Sequence, residues 1–330
     1  MAEPLLLVGN RGGSNIAGSL ERAALAAGHE AQLLEPALAM AAPALLRRVN
    51  WWLRGRRPTW LGWFGKEVLR RQAERELATV LVTGITPPGL GTLRELERRG
   101  VRTVSYLTDD PWSPDHHAPW FLETLPAYDT VFTTRRANLL DLQRLGVRDV
   151  RYLPFGWDPA LWFPERLAGR VVDVLFVGGA EPERVPFLLA LRQAGLSVQV
   201  YGSGWERYRD VRPLSGGQAD VTTVRRATTS CRLALCLVRH RNRDGHVMRT
   251  FEIPATGACI LAEDTDEHRE LLGEGAPLFG SPGELVERAR GLLGDDGRRR
   301  AVATTVSARI ADGGHRYADR LDTLLAGRRA

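Results

Sequence analysis

Val171-Val-Asp-Val-Leu-Phe-Val-Gly-Gly179 is an apolar run of buried-strand length closed by a glycine pair, and it repeats the way the chain begins. There, Pro4-Leu-Leu-Leu-Val-Gly-Asn10 leads into Arg11-Gly-Gly-Ser-Asn15, then into a helical pattern from Ile16 to Ala27 that stops at Gly28. Both openings read as a strand followed by a glycine turn and a helix. After the first, strands at 31–34, 79–83, 103–107, 130–133 and 150–153 alternate with helices at 64–77, 89–99, 117–125 and 135–145. After the second come a helix at 182–194, strands at 197–201 and 233–237, a helix at 246–256 and a strand at 259–262. The tail is helical at 282–293 and 297–326. Apolar strands separated by helices predict parallel, doubly wound α/β sheets.

Between the two halves, Leu153-Pro-Phe-Gly-Trp-Asp-Pro-Ala-Leu-Trp-Phe-Pro164 breaks the rhythm with three prolines and bulky aromatics, as an ordered linker does. The length of 330 residues also exceeds what one core usually carries. Two Rossmann-like domains are therefore expected, 1–158 and 159–330, with the last helix free to pack back on the first.

A composition of 44% hydrophobic and 25% charged residues excludes a mainly disordered chain, and three cysteines are too few for a disulfide scaffold. Cys231, Cys236 and Cys259 lie in apolar stretches and read as small core residues. No Cys/His cluster has zinc spacing, so no metal is expected. No apolar run approaches the ~18 residues of a membrane span, and Met1 to Val8 lacks the form of a signal peptide. A cytoplasmic protein is expected. The net charge of +6 invites a nucleic-acid reading, but the arginines are scattered among acids as on solvated helix faces, and no nucleic-acid partner is expected. Lys66 is the only lysine, so a phosphate clamp would rely on arginine and backbone amides, and a pyridoxal-phosphate enzyme is disfavoured.

In open parallel sheets, ligands bind at the carboxyl ends of strands, where helix N-termini offer amides to anions. Gly12 and Gly13 follow the first strand, and Gly178 and Gly179 follow the first strand of the second half. Glycines there let backbone approach a phosphate or a sugar; they also make ordinary tight turns. Neither pair has the spacing of a P-loop or of a dinucleotide fingerprint. The richest stretch is Arg239-His-Arg-Asn-Arg-Asp-Gly-His-Val-Met-Arg-Thr-Phe-Glu252, a basic loop leading into a helix. Arg249 near its start suits a diphosphate, and Glu252 one turn on can accept hydrogen bonds from ribose hydroxyls. The same two residues also read as a surface pair on the helix dipole.

Arg249-Thr-Phe-Glu-Ile-Pro-Ala-Thr-Gly-Ala258 resembles the signature of the CgeB-like, spore-maturation-type glycosyltransferases of the GT-B superfamily. Tyr106-Leu-Thr-Asp-Asp-Pro111, Leu153-Pro-Phe-Gly-Trp-Asp-Pro159, Asp173-Val-Leu-Phe-Val-Gly178, Tyr201-Gly-Ser-Gly-Trp205 and the tail around 315–320 agree, in the family's order. The resemblance implies a GT-B fold, with two Rossmann-like domains facing across a cleft and a UDP-, GDP- or TDP-type sugar donor held mainly by the second. No metal or other cofactor is implied. Glu252 would bind the donor ribose. The amides from His246 onward, Thr250 included, would face the diphosphate with Arg249. Gly178, Gly179 and Arg184 would line the donor side, and Tyr201, Gly202 and Trp205 would lie near the base. Where many retaining members carry a first glutamate touching the sugar, this chain has Asp244, a shorter acid.

An inverting reaction needs a general base near the end of a first-domain strand. Asp110 and Asp109 follow the 103–107 strand, with His116 and His117 next; an acid before proline also serves as a turn former. The acceptor is unidentified. A nucleotide-sugar epimerase using the same donor site, and a non-catalytic binding member, stay open beside glycosyl transfer. Residues 50–64 gather four of the nine tryptophans among arginines. That mixture suits a membrane surface, an acceptor stack, a dimer contact or a packed loop.

Overall fold

The computed structural model describes residues 4–165 and 172–326; Val171, expected to open a strand, lies outside them. The chain divides into two compact units. One comprises Met1–Phe155, Arg239–Asp244 and Tyr317–Ala330; the other comprises Gly156–Val238 and Gly245–Arg316.

In the first unit, β1 (Leu5–Val8), β2 (Ala31–Leu34), β3 (Thr79–Thr83), β4 (Arg102–Leu107), β5 (Thr130–Thr133) and β6 (Val150–Tyr152) form one sheet. Its order is β2-β1-β3-β4-β5-β6, and every neighbouring pair is parallel. β1, β3 and β5 are buried along their whole length, as the continuous apolar runs require. Leu6, Val8, Val80, Val82 and Leu107 meet Phe64, Val68, Leu93 and Leu96 in the core. Helix Ile16–Ala26 packs beside Tyr317–Leu325, and Leu61–Arg75 beside Leu90–Arg98. The Arg102 guanidinium donates to the carbonyls of Leu324, Leu325 and Ala326 at 3.0, 2.8 and 3.0 Å. This cation satisfies the orphan C-terminal carbonyls of the last helix and complements its dipole.

In the second unit, β7 (Val174–Val177), β8 (Val198–Tyr201), β9 (Leu233–Cys236), β10 (Ile260–Glu263) and β11 (Leu278–Phe279) run in the order β11-β10-β9-β7-β8, again parallel. Phe176, Leu188, Leu191, Leu235, Leu261 and Leu285 centre its core. Helix Asp296–Asp312 is capped by the Asp295 carboxylate, which accepts the Arg298 N–H at 2.9 Å. Asp295→Ala should cost about 1 kcal/mol in urea unfolding; an unchanged midpoint would show that the cap adds nothing.

Several elements depart from the sequence reading. The tail expected to be continuous over 297–326 is interrupted after Asp312, where Gly314 takes φ +65°, a backbone conformation open to glycine. The helix expected at 117–125 shrinks to Pro119–Leu122 and a 3₁₀ turn at Leu125–Ala127, because Pro126 has no N–H to continue it. The helix expected from 246 begins at Arg249. Helices Ala37–Met40 and Ala44–Leu53, and the short β11, were not expected; the second of these helices has no buried residue.

Candidate functional site

In the second unit the strand order changes direction at β7, with β8 on one side and β9 on the other. The carboxyl ends of β7 and β9 form the switch point at which α/β sheets bind ligands. Gly178 and Gly179 leave β7 there. A Cβ on Gly202, after β8, would stand 2.0 Å from the Gly178 carbonyl oxygen, so only glycine fits this close backbone crossing. The turn is held by two of the expected donor residues. The Trp205 indole N–H donates to the Gly178 carbonyl at 2.9 Å, and the Arg184 guanidinium donates to the Gly179 carbonyl at 2.8 Å. Trp205 is fully buried against Phe176, and Arg184 is 5% exposed. Expected near the base and on the donor side, Trp205 and Arg184 both hydrogen-bond to carbonyls of the glycine turn and brace it. Tyr201 is half-buried at the end of β8.

The helix Arg249–Ala255 follows β9. The Arg249 guanidinium pairs with the Glu252 carboxylate, three residues on, and lies 4.9 Å from the ring centre of Trp162, itself 2% exposed. Glu252 is buried, and that burial pushes its carboxyl above the usual range against the opposing pull of Arg249. Thr250 is consumed by the scaffold. Its hydroxyl oxygen accepts the Val247 N–H at 3.1 Å and its proton faces His268 Nε2 at 2.9 Å. His268 Nδ1 meets the Glu263 carbonyl at 2.7 Å, so Nδ1–H donates to it. Burial pulls its pKa down to about 4. The His246 ring is buried as well, with Nδ1 on the Glu267 carboxylate. The amides of Thr250, Phe251 and Glu252 bond to Val247 and Met248 carbonyls; those of Met248 and Arg249 make none of these bonds. Of the amides expected from His246 onward, that of Val247 is also occupied, by the Thr250 hydroxyl.

In the first unit, the acids read as a catalytic pair and the basic loop read as a diphosphate site neutralise each other. Asp110 is 1% exposed; the Arg243 guanidinium donates to both of its oxygens at 2.6 and 3.0 Å, and Asn138 and the Trp112 N–H add further donors. Burial raises its pKa, but these donors outweigh burial and the net shift is downward. Such a carboxylate anchors a loop and is a poor base, which corrects its expected role. Asp244 is likewise withdrawn, with a fully buried side chain paired to Arg135 and Arg239. Its oxygens are taken up by these two guanidinium groups and Asn242. Asp109 is half-exposed, 3.0 Å from Arg239 and 3.6 Å from His116; His117 is exposed.

Gly12 and Gly13 are exposed, and a Cβ on either would meet nothing within 4 Å. The glycine that must be glycine in that turn is Gly9, where a Cβ would stand 2.2 Å from Thr83 Oγ1. Sequence reading missed Arg135, Asn138, Asn242 and Trp162. Their only signal was position, just after a strand or in the Pro-rich linker. The three cysteines are free and buried, with thiols pushed up to about 12, 12 and 11 for Cys231, Cys236 and Cys259. Among the described residues, no group of three His, Cys, Asp or Glu side chains is placed to hold a metal ion, and no helix is long and apolar enough to cross a membrane.

Residues 184–326 match the family model described as glycosyl transferase-like. No curated protein sequence matches the chain significantly. Among solved structures, sucrose-phosphate synthase from Thermosynechococcus elongatus superposes with a TM-score of 0.69 at 14% identity, covering 98% of both chains. HepE of Anabaena, solved with UDP-glucose, gives 0.63 at 14% identity over 97% of both chains. A UDP-N-acetylglucosamine 2-epimerase from Listeria monocytogenes, so described provisionally, gives 0.57 at 12%, covering 92% of this chain and 91% of that one. The chain thus has the GT-B fold, and its residues 184–326 are similar to a glycosyl transferase-like domain.

Proposed function

We propose that the protein is a CgeB-like glycosyltransferase that moves a sugar from a nucleoside-diphosphate donor, bound by the second unit, to an acceptor. The observation that carries this reading is the Arg249–Glu252 pair at the head of the helix after β9, inside the glycosyl transferase-like stretch. The diphosphate competes with Glu252 for the Arg249 guanidinium, which keeps a fixed charge at any working pH. Glu252, released from that partner, accepts the ribose hydroxyls; its buried position makes each such bond stronger than in water. The Met248 and Arg249 amides add donors for the phosphates. With arginine and amides carrying the charge, the donor is held without a metal ion. A UDP-type nucleotide is supported by the UDP-glucose in the HepE structure. With Asp110 occupied by Arg243, the partly exposed Asp109 and His116 are the first-unit groups suited to act on an acceptor hydroxyl.

The test is a thermal-shift series with UDP, GDP, TDP and CDP in the presence of a chelator, followed by assays for transfer. One nucleotide at a hundredfold excess over its Kd should stabilise the wild type by about 2.7 kcal/mol. Glu252→Ala should abolish that shift, while Asp109→Asn should retain it and lose transfer. No stabilisation by any nucleotide would remove the reading. The likeness to the Listeria epimerase keeps a second reading alive, in which the donor sugar is interconverted without an acceptor. Epimer formation from the donor alone identifies it.

A further inference from the structure

The helix Ala44–Leu53 in the first unit has no buried residue, although seven of its ten residues are apolar. At 100° per residue, Leu45, Leu46, Val49, Trp52 and Leu53 share an arc of about 120°, with Arg48 flanking it beside Trp52 and Arg47 on the opposite side. Leu45, Trp52 and Leu53 are 73%, 79% and 80% exposed, so most of this apolar face is left uncovered by the described residues. Trp60 and Trp63, near the start of the next helix, are exposed as well. Arg47, Arg48, Trp51 and Trp52, with Met40 and Ala44, line a hollow of about 480 Å³. From Pro36 to Lys66 the sequence contains no acidic residue, and Arg47, Arg48, Arg54, Arg57 and Lys66 are all exposed.

The geometry points to an anionic membrane surface as the partner of this face. The helix lies in the plane of the bilayer, its leucines, valine and Trp52 entering the boundary between headgroups and acyl chains. Exposed tryptophans settle at the headgroup level, and the guanidinium groups meet lipid phosphates. Charge selects this occupant over a second copy of the chain. A two-fold contact places the same patch on itself, setting these arginines against their own copies with no acid in the 36–66 segment to offset them. Anionic headgroups supply the missing charge.

The test is sedimentation of the full chain with vesicles of phosphatidylcholine, alone or with 30% phosphatidylglycerol. At low ionic strength the wild type should bind the anionic vesicles, and high salt should release it. Arg47→Ala/Arg48→Ala should lower the partition coefficient roughly twentyfold, about fivefold for each arginine. Trp52→Glu/Leu53→Glu should lower it more than tenfold. Because the helix has no buried side chain, both double variants should keep the wild-type melting temperature, which certifies their fold. Equal binding to neutral vesicles, absence of binding at low salt, or unchanged partitioning of the variants would overturn the proposal. So would a concentration-dependent dimer that Trp52→Glu/Leu53→Glu dissolves while vesicles bind nothing.

Discussion

Asp244→Ala should lower the stability of the first unit by about 3–5 kcal/mol in urea unfolding at neutral pH, among the largest losses a single substitution in this chain can cause. The Asp244 carboxylate is fully buried, and Arg135, whose side chain is 1% exposed, depends on it for ion pairing. Truncation leaves a guanidinium stranded out of water, still donating to the Asn242 carbonyl and the Thr134 hydroxyl but with its charge uncompensated. Arg239, 30% exposed, loses the same acid more cheaply because it faces solvent and keeps Asp109. Replacing both partners, as Arg135→Met/Asp244→Leu, should recover much of the loss, since an apolar pair needs no compensating charge. A loss below 1 kcal/mol for Asp244→Ala would mean that water reaches Arg135 and that the network is not closed.

Between pH 7 and pH 4.5 the second unit should lose about 2–3 kcal/mol of stability through His268 alone. In the unfolded chain this imidazole takes its proton near the ordinary histidine value of 6.5, whereas the folded one does so only at about 4. Below 6.5 the unfolded state therefore binds more protons, and falling pH favours it. The contribution is fully present above 6.5 and is exhausted near 4. The cause is burial, which disfavours the charged ring. His268→Gln should flatten the pH dependence of the urea midpoint by close to one proton over this window. If the variant and the wild type keep the same slope, the buried neutral histidine is not the titrating group.

Asp110 behaves in the opposite direction with respect to its shift but not to acid. Its folded pKa is lowered, so its share of stability stands above the ordinary aspartate value and disappears as pH falls through the folded one. Acid thus loosens both units, by protonating His268 in one and Asp110 in the other.

The alternation of strands and helices was legible because it is a local property. Apolar runs such as Leu5–Val8 and Val174–Val177 have the length and continuity of strands buried on both faces, and the observed sheets place them there. The Arg249–Glu252 pairing was legible for the same reason, since residues three apart share a helix face. The ion pairs of Asp110 and Asp244 were not legible because their partners are remote. Asp244 and Arg135 lie 109 positions apart, and Arg243 lies 133 from Asp110. Pairing at that range is set by how loops come together, and no spacing rule encodes it. The bracing by Trp205 and Arg184 was not legible for a related reason: a large side chain beside a glycine turn can face a ligand or brace the turn, and packing alone decides between them.

By itself, then, the sequence determined two parallel α/β units, the glycine turn after the Val174–Val177 strand, and the helix that presents Arg249 and Glu252, because backbone sterics and hydrophobic periodicity act over a few residues. Only the tertiary structure decided which charges are consumed as anchors, as with Asp110, Asp244 and Arg135. It likewise decided that the apolar face of Ala44–Leu53 is left bare. Burial and charge compensation depend on groups that meet in space from distant parts of the chain, and the free energy of a side chain follows those neighbours rather than its place in the sequence.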